Sequence, residues 1–451
     1  VNLYPERNPE DAAAAVTHYP TPGLTLVSSP PVAGESRCIY TATNGARYEV
    51  VAQTVYSVSS KNVYTALGTL TTSTGRVYMV DNGFNVFLVD GSTNGWAIDM
   101  ASNFMIQISD PSFYGADRVD IVDGYFIFNK PNSQQFYISN YLSISFNSLD
   151  ITSKSTYPDN LVTLAVMHRE IWLFGDQTTE VWYNTGASDF TFGRMPGVFI
   201  EHGCVAKHSV AKHDLTLMWL SKDQQGQGIV LLGKNYTASR ISTHAIEQEF
   251  QTYSRIDDAV GYTYQQGGHV FYVLSFPTAN KTWCYDITTG LWHQRGYLEG
   301  SGTFSRHRGV CHSFNQGRNL VGDYATGNVY ALDPNSYTDN GNPILCVRSF
   351  PHIGASGKRA LFRQFVADME VGQGVAGDLT DPAVFLRWSD DRGFSWGNPV
   401  QGSLGKAGDY ISVIQFQRLG YARDRVFELS WSAGVKTALN GAYIDMSAAR
   451  T

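Results

Sequence analysis

Hydrophobic and polar positions alternate with a period of two along much of the chain. In AVFLRW (383–388), Val384, Leu386 and Trp388 fall on one side and Phe385 and Arg387 on the other, as in a strand with one buried face. RVFELSWSA (425–433) likewise puts Phe427, Leu429, Trp431 and Ala433 on a single face. GYFIFNKPNSQQFYIS (124–139) and REIWLFGDQTTEVWYN (169–184) each spell two strands around a polar loop.

These strands recur on a longer period. Four stretches share an apolar strand ending in Asp or Asn and an aromatic six residues later. They are VFLVDGSTNGW (Asp90, Trp96), FYISNYLSISF (Asn140, Phe146), VWYNTGASDF (Asn184, Phe190) and WCYDITTGLW (Asp286, Trp292). Two weaker copies carry Asn235 with Ile241, and Asp333 without the aromatic; a vaguer one lies near Thr41. The anchors from Asp90 to Asp333 are 50, 44, 51, 51 and 47 residues apart. That period predicts four-stranded propeller blades, six or seven in number, with seven copies by count. The anchor carboxylates and amides satisfy turns, and the aromatics are expected to pack between blades rather than to form a ligand track. An isolated blade leaves a sheet face bare, so the ring must close. GLTLVSS (23–29) is the candidate closing strand.

One stretch breaks the alternation. STHAIEQEFQTY (242–253) spaces Ala245, Ile246, Glu249, Phe250 and Tyr253 by three and four after a Ser or Thr cap, predicting a short helix. The longer repeat stops near SFPHIGASGKRA (349–360). The expected organisation is an extended arm over 1–37 that closes the propeller, a propeller over 38–350 and a C-terminal β-sandwich over 351–451, an all-β chain apart from that helix.

Composition sharpens this. Of 451 residues 43% are hydrophobic and only 16% charged, with Gly, Tyr and Phe abundant, which is a sheet composition. A formal charge of −7 and the absence of any basic run argue against gripping nucleic acid by phosphate neutralisation. The five cysteines, Cys38, Cys204, Cys284, Cys311 and Cys346, are odd in number and scattered, so they are expected as buried free thiols. No apolar run approaches the roughly 18 residues of a membrane span, and no signal-peptide pattern stands at the start. The chain opens on Val1 rather than Met, which leaves room for residues ahead of it.

Candidate chemistry is sparse. WSDDRGFSW (388–396) contains an Asp-box, Ser389, Asp391, Gly393 and Trp396, a hairpin signature found in sialidases and other β-rich proteins. Gly393 suits a left-handed turn, Asp391 and Ser389 can accept loop N–H bonds, and Trp396 can fold back over the hairpin. Every part is explained by a turn. HGCVAKHSVAKH offers His202, Cys204, His208 and His213, and RHRGVCH offers His307, Cys311 and His312; neither spacing completes a metal site. Asp257–Asp258 and Asp390–Asp391 look like loop acids. NYT (Asn235) and NKT (Asn280) match the glycosylation pattern alone. No catalytic residue, cofactor site or metal site is expected.

NLYPE (2–6), TPGLTL (22–27), the block RISTHAIEQEF to YDITTGLWHQRG (240–296) and RLGYARDRVFELSWSAGVKTALNGAYI (418–444) resemble the packaged-DNA stabilisation proteins. These are the tail accessory factors, or tail hubs, of short-tailed double-stranded-DNA bacteriophages. The resemblance implies a non-enzymatic virion tail protein, assembled in the host cytoplasm. It implies a homo-oligomeric ring, expected to be hexameric, below the portal and its adaptor ring. Such a ring would extend the DNA channel, help retain the genome until ejection, and dock a tail needle, spikes or fibres. Negative charge fits DNA that slides past without specific binding. The rival classes are a carbohydrate-binding, receptor-recognising propeller and, further off, a sialidase-like hydrolase.

Overall fold

The computed structural model describes residues 1–451 except 13, 356, 374–380 and 449–451. The chain packs as two compact units: one holds Leu26–Thr282 and Arg306–Ala331, the other Val1–Thr25, Trp283–Ser305 and Leu332–Thr451.

In the first unit, five four-stranded antiparallel sheets follow one another over 36–69, 78–107, 119–153, 161–194 and 211–240. Two more sheets begin with Val260–Gln266 and Gly309–Asn315. The strand order of the sixth continues through Lys281–Asp286 to Leu291–Arg295. That of the seventh continues through Val329–Asp333 to Gly23–Ser28 and then two short strands. Seven blades are thus present among the described residues, a β-propeller at the upper end of the sequence-based count. Their first strands begin at Ser36, Tyr78, Val119, Leu161, Ala211, Val260 and Gly309, in steps of 41–42 residues at first and 49–50 afterwards.

The ring is held by apolar side chains wedged between neighbouring sheets. Phe87, Phe113, Phe126, Phe128, Tyr137 and Phe146 cluster where the second sheet meets the third. Phe136, Leu173, Trp182 and Phe192 do so between the third and fourth, and Trp172, Phe174 and Trp219 between the fourth and fifth. Each fully buried large side chain removes apolar area worth about 2–3 kcal/mol, so flat sheets become a stack only through these contacts. The first and seventh sheets meet along their leading strands, where Thr41 Oγ1 and Ser313 Oγ are 2.8 Å apart and Asn315 Nδ2 donates to Thr41 Oγ1 at 3.3 Å.

The helix predicted over 242–253 is present as His244–Gln251. It buries Ile246 and Phe250 as expected, but also Glu247, while Ala245 is exposed. The reason is electrostatic. Arg240 forms an ion pair with Glu247, and Ser242 Oγ donates to Glu247 Oε1 at 2.5 Å, turning that face inward.

The second unit contains a sandwich of two sheets. One orders Leu3–Arg7, Val16–Pro20, Leu439–Ala448, Ala360–Met369 and Ile414–Ala422; the other orders Cys346–Ser349, Asp424–Trp431, Ala383–Ser389 and Val400–Ser403. Phe362, Phe365, Phe416, Phe427, Leu429 and Trp431 form the core between them. The first twenty residues therefore supply a hairpin to the C-terminal sheet, reached through the pair His18↔Leu439.

Candidate assembly surfaces

The Asp-box closes on itself. Asp391 Oδ1 accepts from Ser389 Oγ at 2.6 Å and from Ser395 N at 2.8 Å, and Asp391 Oδ2 accepts from Ser395 Oγ at 2.5 Å. Gly393 N donates to Ser389 Oγ at 2.7 Å, with Gly393 at φ 98°, a conformation that favours glycine. The Ser389 and Ser395 hydrogen bonds hold the Asp391 carboxyl down at about 2. The Arg387 guanidinium lies 4.8 Å over the Trp396 ring. Phe394, at the tip, is 93% exposed.

The repeat anchors are placed as turn residues, in two different turns. Asn140, Asn184, Asn235, Asp286 and Asp333 all stand at the end of a third strand or just past it. Asn184 Oδ1 accepts from Gly186 N at 3.0 Å, and Asp286 accepts from Thr288 N at 2.9 Å and Thr289 Oγ1 at 2.8 Å. Asp90 instead follows a second strand, Asn85–Val89, where it accepts from Ser92 N (3.0 Å) and Thr72 Oγ1 (2.7 Å). The residue equivalent to the others is Asp99, which ends Gly95–Asp99 and accepts from Ser102 N at 2.7 Å. DMAS after the strand was the available signal; the stronger DGSTNGW masked it. Trp96 and Phe146 are buried, Phe190 packs 5.7 Å from Phe136, and Trp292 lies 5.1 Å from Tyr285.

The histidine and acid clusters do not converge. Burial pushes the Cys204 thiol up to about 12, and its Sγ donates to Ala206 O. The His202 carbonyl accepts from Thr179 Oγ1 at 2.7 Å, and His213 pairs with Asp214. His208 contacts Tyr78 instead. His307 Nδ1 accepts from Gly309 N, Cys311 lies beside Ser36, and His312 bonds Asn319. Asp257 pairs with Arg255, Asp258 accepts from Thr278 N, and Asp390 pairs with Arg425. Asn235 and Asn280 are positive-φ turn residues. Among the described residues no group of three or more His, Cys, Asp or Glu could hold a metal ion, and all five cysteines are free and buried.

The surface itself is more informative. In an up-and-down sheet, the turns joining first to second and third to fourth strands lie at one end. At that end the first, second, third and fifth sheets expose Val63, Phe84, Phe104, Tyr141, Leu142, Leu215 and Tyr236, from 38% to 68%. An open groove of about 620 Å³ lies there between the third and fourth sheets, lined by Tyr125, Asn140, Tyr141, Leu149, Asp189 and Phe190. In the sandwich unit, the loop bearing Tyr410, Ile411 and Val413 exposes each by 65% or more. Clustered exposed apolar side chains mark contact surfaces.

Two family models match the sequence: bacteriophage P22 Gp10, beta-propeller, over residues 1–337, and bacteriophage P22 Gp10, beta-sandwich, over residues 346–447. The chain belongs to the bacteriophage P22 Gp10 family. A Gp10 chain is a structural phage tail protein, and the two matched regions account for its propeller and sandwich. No curated protein matches the sequence. Among solved structures, the computationally designed Ika8 protein is similar at 9% identity, with 68% of this chain and 99% of that one covered and a TM-score of 0.43. The extracellular domain of a putative hybrid two component system from B. thetaiotaomicron is similar at 10% identity, covering 76% and 43%, with a TM-score of 0.47. A chain of the Mitotic Checkpoint Complex is similar at 10% identity, covering 73% and 96%, with a TM-score of 0.47.

Proposed function

We propose that this Gp10-family chain is a non-enzymatic tail hub. Copies close into a ring, expected to be hexameric, below the portal and adaptor ring of a short-tailed phage. The ring extends the DNA channel, helps retain the packaged genome, and docks the needle, spikes or fibres. Family membership over both domains is the observation that carries this reading. The apolar side chains at one end of the blades and on the 410–413 loop supply contact area of the kind a heterologous ring needs. The net charge of −7 suits a conduit wall from which phosphates slip away. Within the chain, we propose that the strand Gly23–Ser28 locks the ring of blades, and that the Asp-box and the Asp and Asn anchors serve as turns.

The test is negative-stain microscopy of the full chain mixed with the phage's portal and adaptor proteins. Rings of uniform copy number on the adaptor are expected. Persistent monomers in the presence of assembled adaptor would sink the hub reading. A glycan array answers the rival carbohydrate-binding reading, which requires binding that disappears with Phe394→Ser.

A further inference from the structure

Side chains meet across the blade axis. Tyr78 leads the second sheet and His208 lies on the segment entering the fifth, three steps away around a ring of seven. Yet their rings stack at 5.7 Å, and Tyr78 Oη and His208 Nδ1 are 3.1 Å apart. Two blades that far apart touch only at the centre. Arg118, which precedes the third sheet, lays its guanidinium 4.1 Å over the same tyrosine, and Arg76 lies 5.9 Å from it. These side chains form a plug at the end where the chain enters the leading strands.

The plug carries surplus positive charge. Arg76 Nη1 donates to Arg37 O at 3.2 Å, and its guanidinium lies beside the Cys311 thiol. Arg118 Nη1 reaches Val210 O at 3.5 Å. Neither guanidinium has a carboxylate partner among the described residues. A nearby acid, Asp117, takes Lys207 Nζ at 2.7 Å. Burial first, then Lys207, Arg76 and Arg118, hold the His208 imidazole well below its ordinary value, so it stays neutral. Two planar guanidinium groups, each held by a backbone carbonyl and, for Arg76, the Cys311 thiol, leave their positive charge without a carboxylate next to a neutral ring nitrogen. They are suited to a ligand that brings negative charge and several acceptor oxygens.

The geometry points to an oxyanion site at this axial plug, in which Arg76 and Arg118, flanked by Lys207, bind one compact phosphate or carboxylate group. Arg76, Tyr78, Arg118 and His208 are all partly buried, so the entering group is small rather than the ridge of a duplex. This site depends on the fold alone and stands apart from the assembly reading.

Equilibrium dialysis of the full chain against radiolabelled inorganic phosphate, at ionic strength fixed with chloride, reads it directly. One saturable phosphate per chain is expected, displaced by succinate if the site accepts carboxylates as well. Arg118→Gln and Arg76→Gln each weaken it by about tenfold or more, the loss of a charge-assisted donor pair. Arg169→Gln, which alters an exposed arginine paired with Asp123, leaves it unchanged. Absence of saturable one-to-one binding in the unaltered protein overturns the site whatever the variants do. Undiminished binding in both folded variants overturns it as well. Displacement of the label by a short DNA duplex at equal phosphate concentration overturns the compact-ligand assignment.

Discussion

His312 shows how a single partly buried side chain sets a pH dependence. Burial holds its imidazole at about 4, while the hydrogen bond to Asn319 acts in the opposite direction. In the unfolded chain the same group titrates near 6.5, so between those values the unfolded state binds the extra proton. Its contribution is complete above about pH 6.5 and is lost as the pH falls toward 4. Denaturant unfolding at pH 7 and pH 5 should show the native protein losing about 2 kcal/mol more than His312→Phe over that interval. Ser389 is a second residue with a measurable role. It is buried, donates to Asp391 and accepts from Gly393 N, so Ser389→Ala should cost about 1–2 kcal/mol in urea unfolding of the sandwich. At this scale the sequence was readable where side chain and turn are neighbours, as at Asp286 with Thr289. It misled where two turns of one sheet looked alike: Asp90 and Asp99 both accept N–H bonds from a serine two or three residues on.

Strand existence was legible, and blade number to within six or seven, because alternation and a repeat of forty to fifty residues both survive in the sequence. The C-terminal sandwich was legible from the single-faced runs 383–388 and 425–433, which pair directly as Leu386↔Leu429 and Trp388↔Phe427. The partner of the N-terminal hairpin was not legible, because pairing across more than four hundred residues leaves no local signal; His18↔Leu439 is set by the tertiary fold. The strand Gly23–Ser28 offers a clean element-scale test. A Cβ on Gly23 would sit 2.5 Å from the carbonyl oxygens of both Ser336 and Thr338, and backbone cannot yield as a side-chain tip can. Gly23→Ala should lower stability by about 1–3 kcal/mol, seen as a reduced urea midpoint with unchanged slope. An unaltered midpoint would mean the strand is not held as described.

For the whole molecule, the apolar blade ends separate assembly from folding. Phe84 and Phe104 are 61% and 68% exposed in neighbouring turns of the second sheet. The double variant Phe84→Ser, Phe104→Ser should leave the unfolding midpoint within about 0.5 kcal/mol of the native value. The yield of rings on the adaptor should fall, as counted by microscopy. The low density of positive charge leads to a second expectation: duplex binding by the isolated chain should be weak at physiological salt.

The side chains of Tyr78, Arg118 and His208 meeting at the blade axis carry a consequence for any conduit built from this chain. Those side chains bridge the axis of each subunit, so the axis is not the natural route for a polymer. In the proposed ring the bore would be walled by the outer flanks of adjacent copies, and its gauge would follow from how many copies close the circle. Evolution could widen or narrow that pipe by changing one lateral contact angle, leaving every blade untouched.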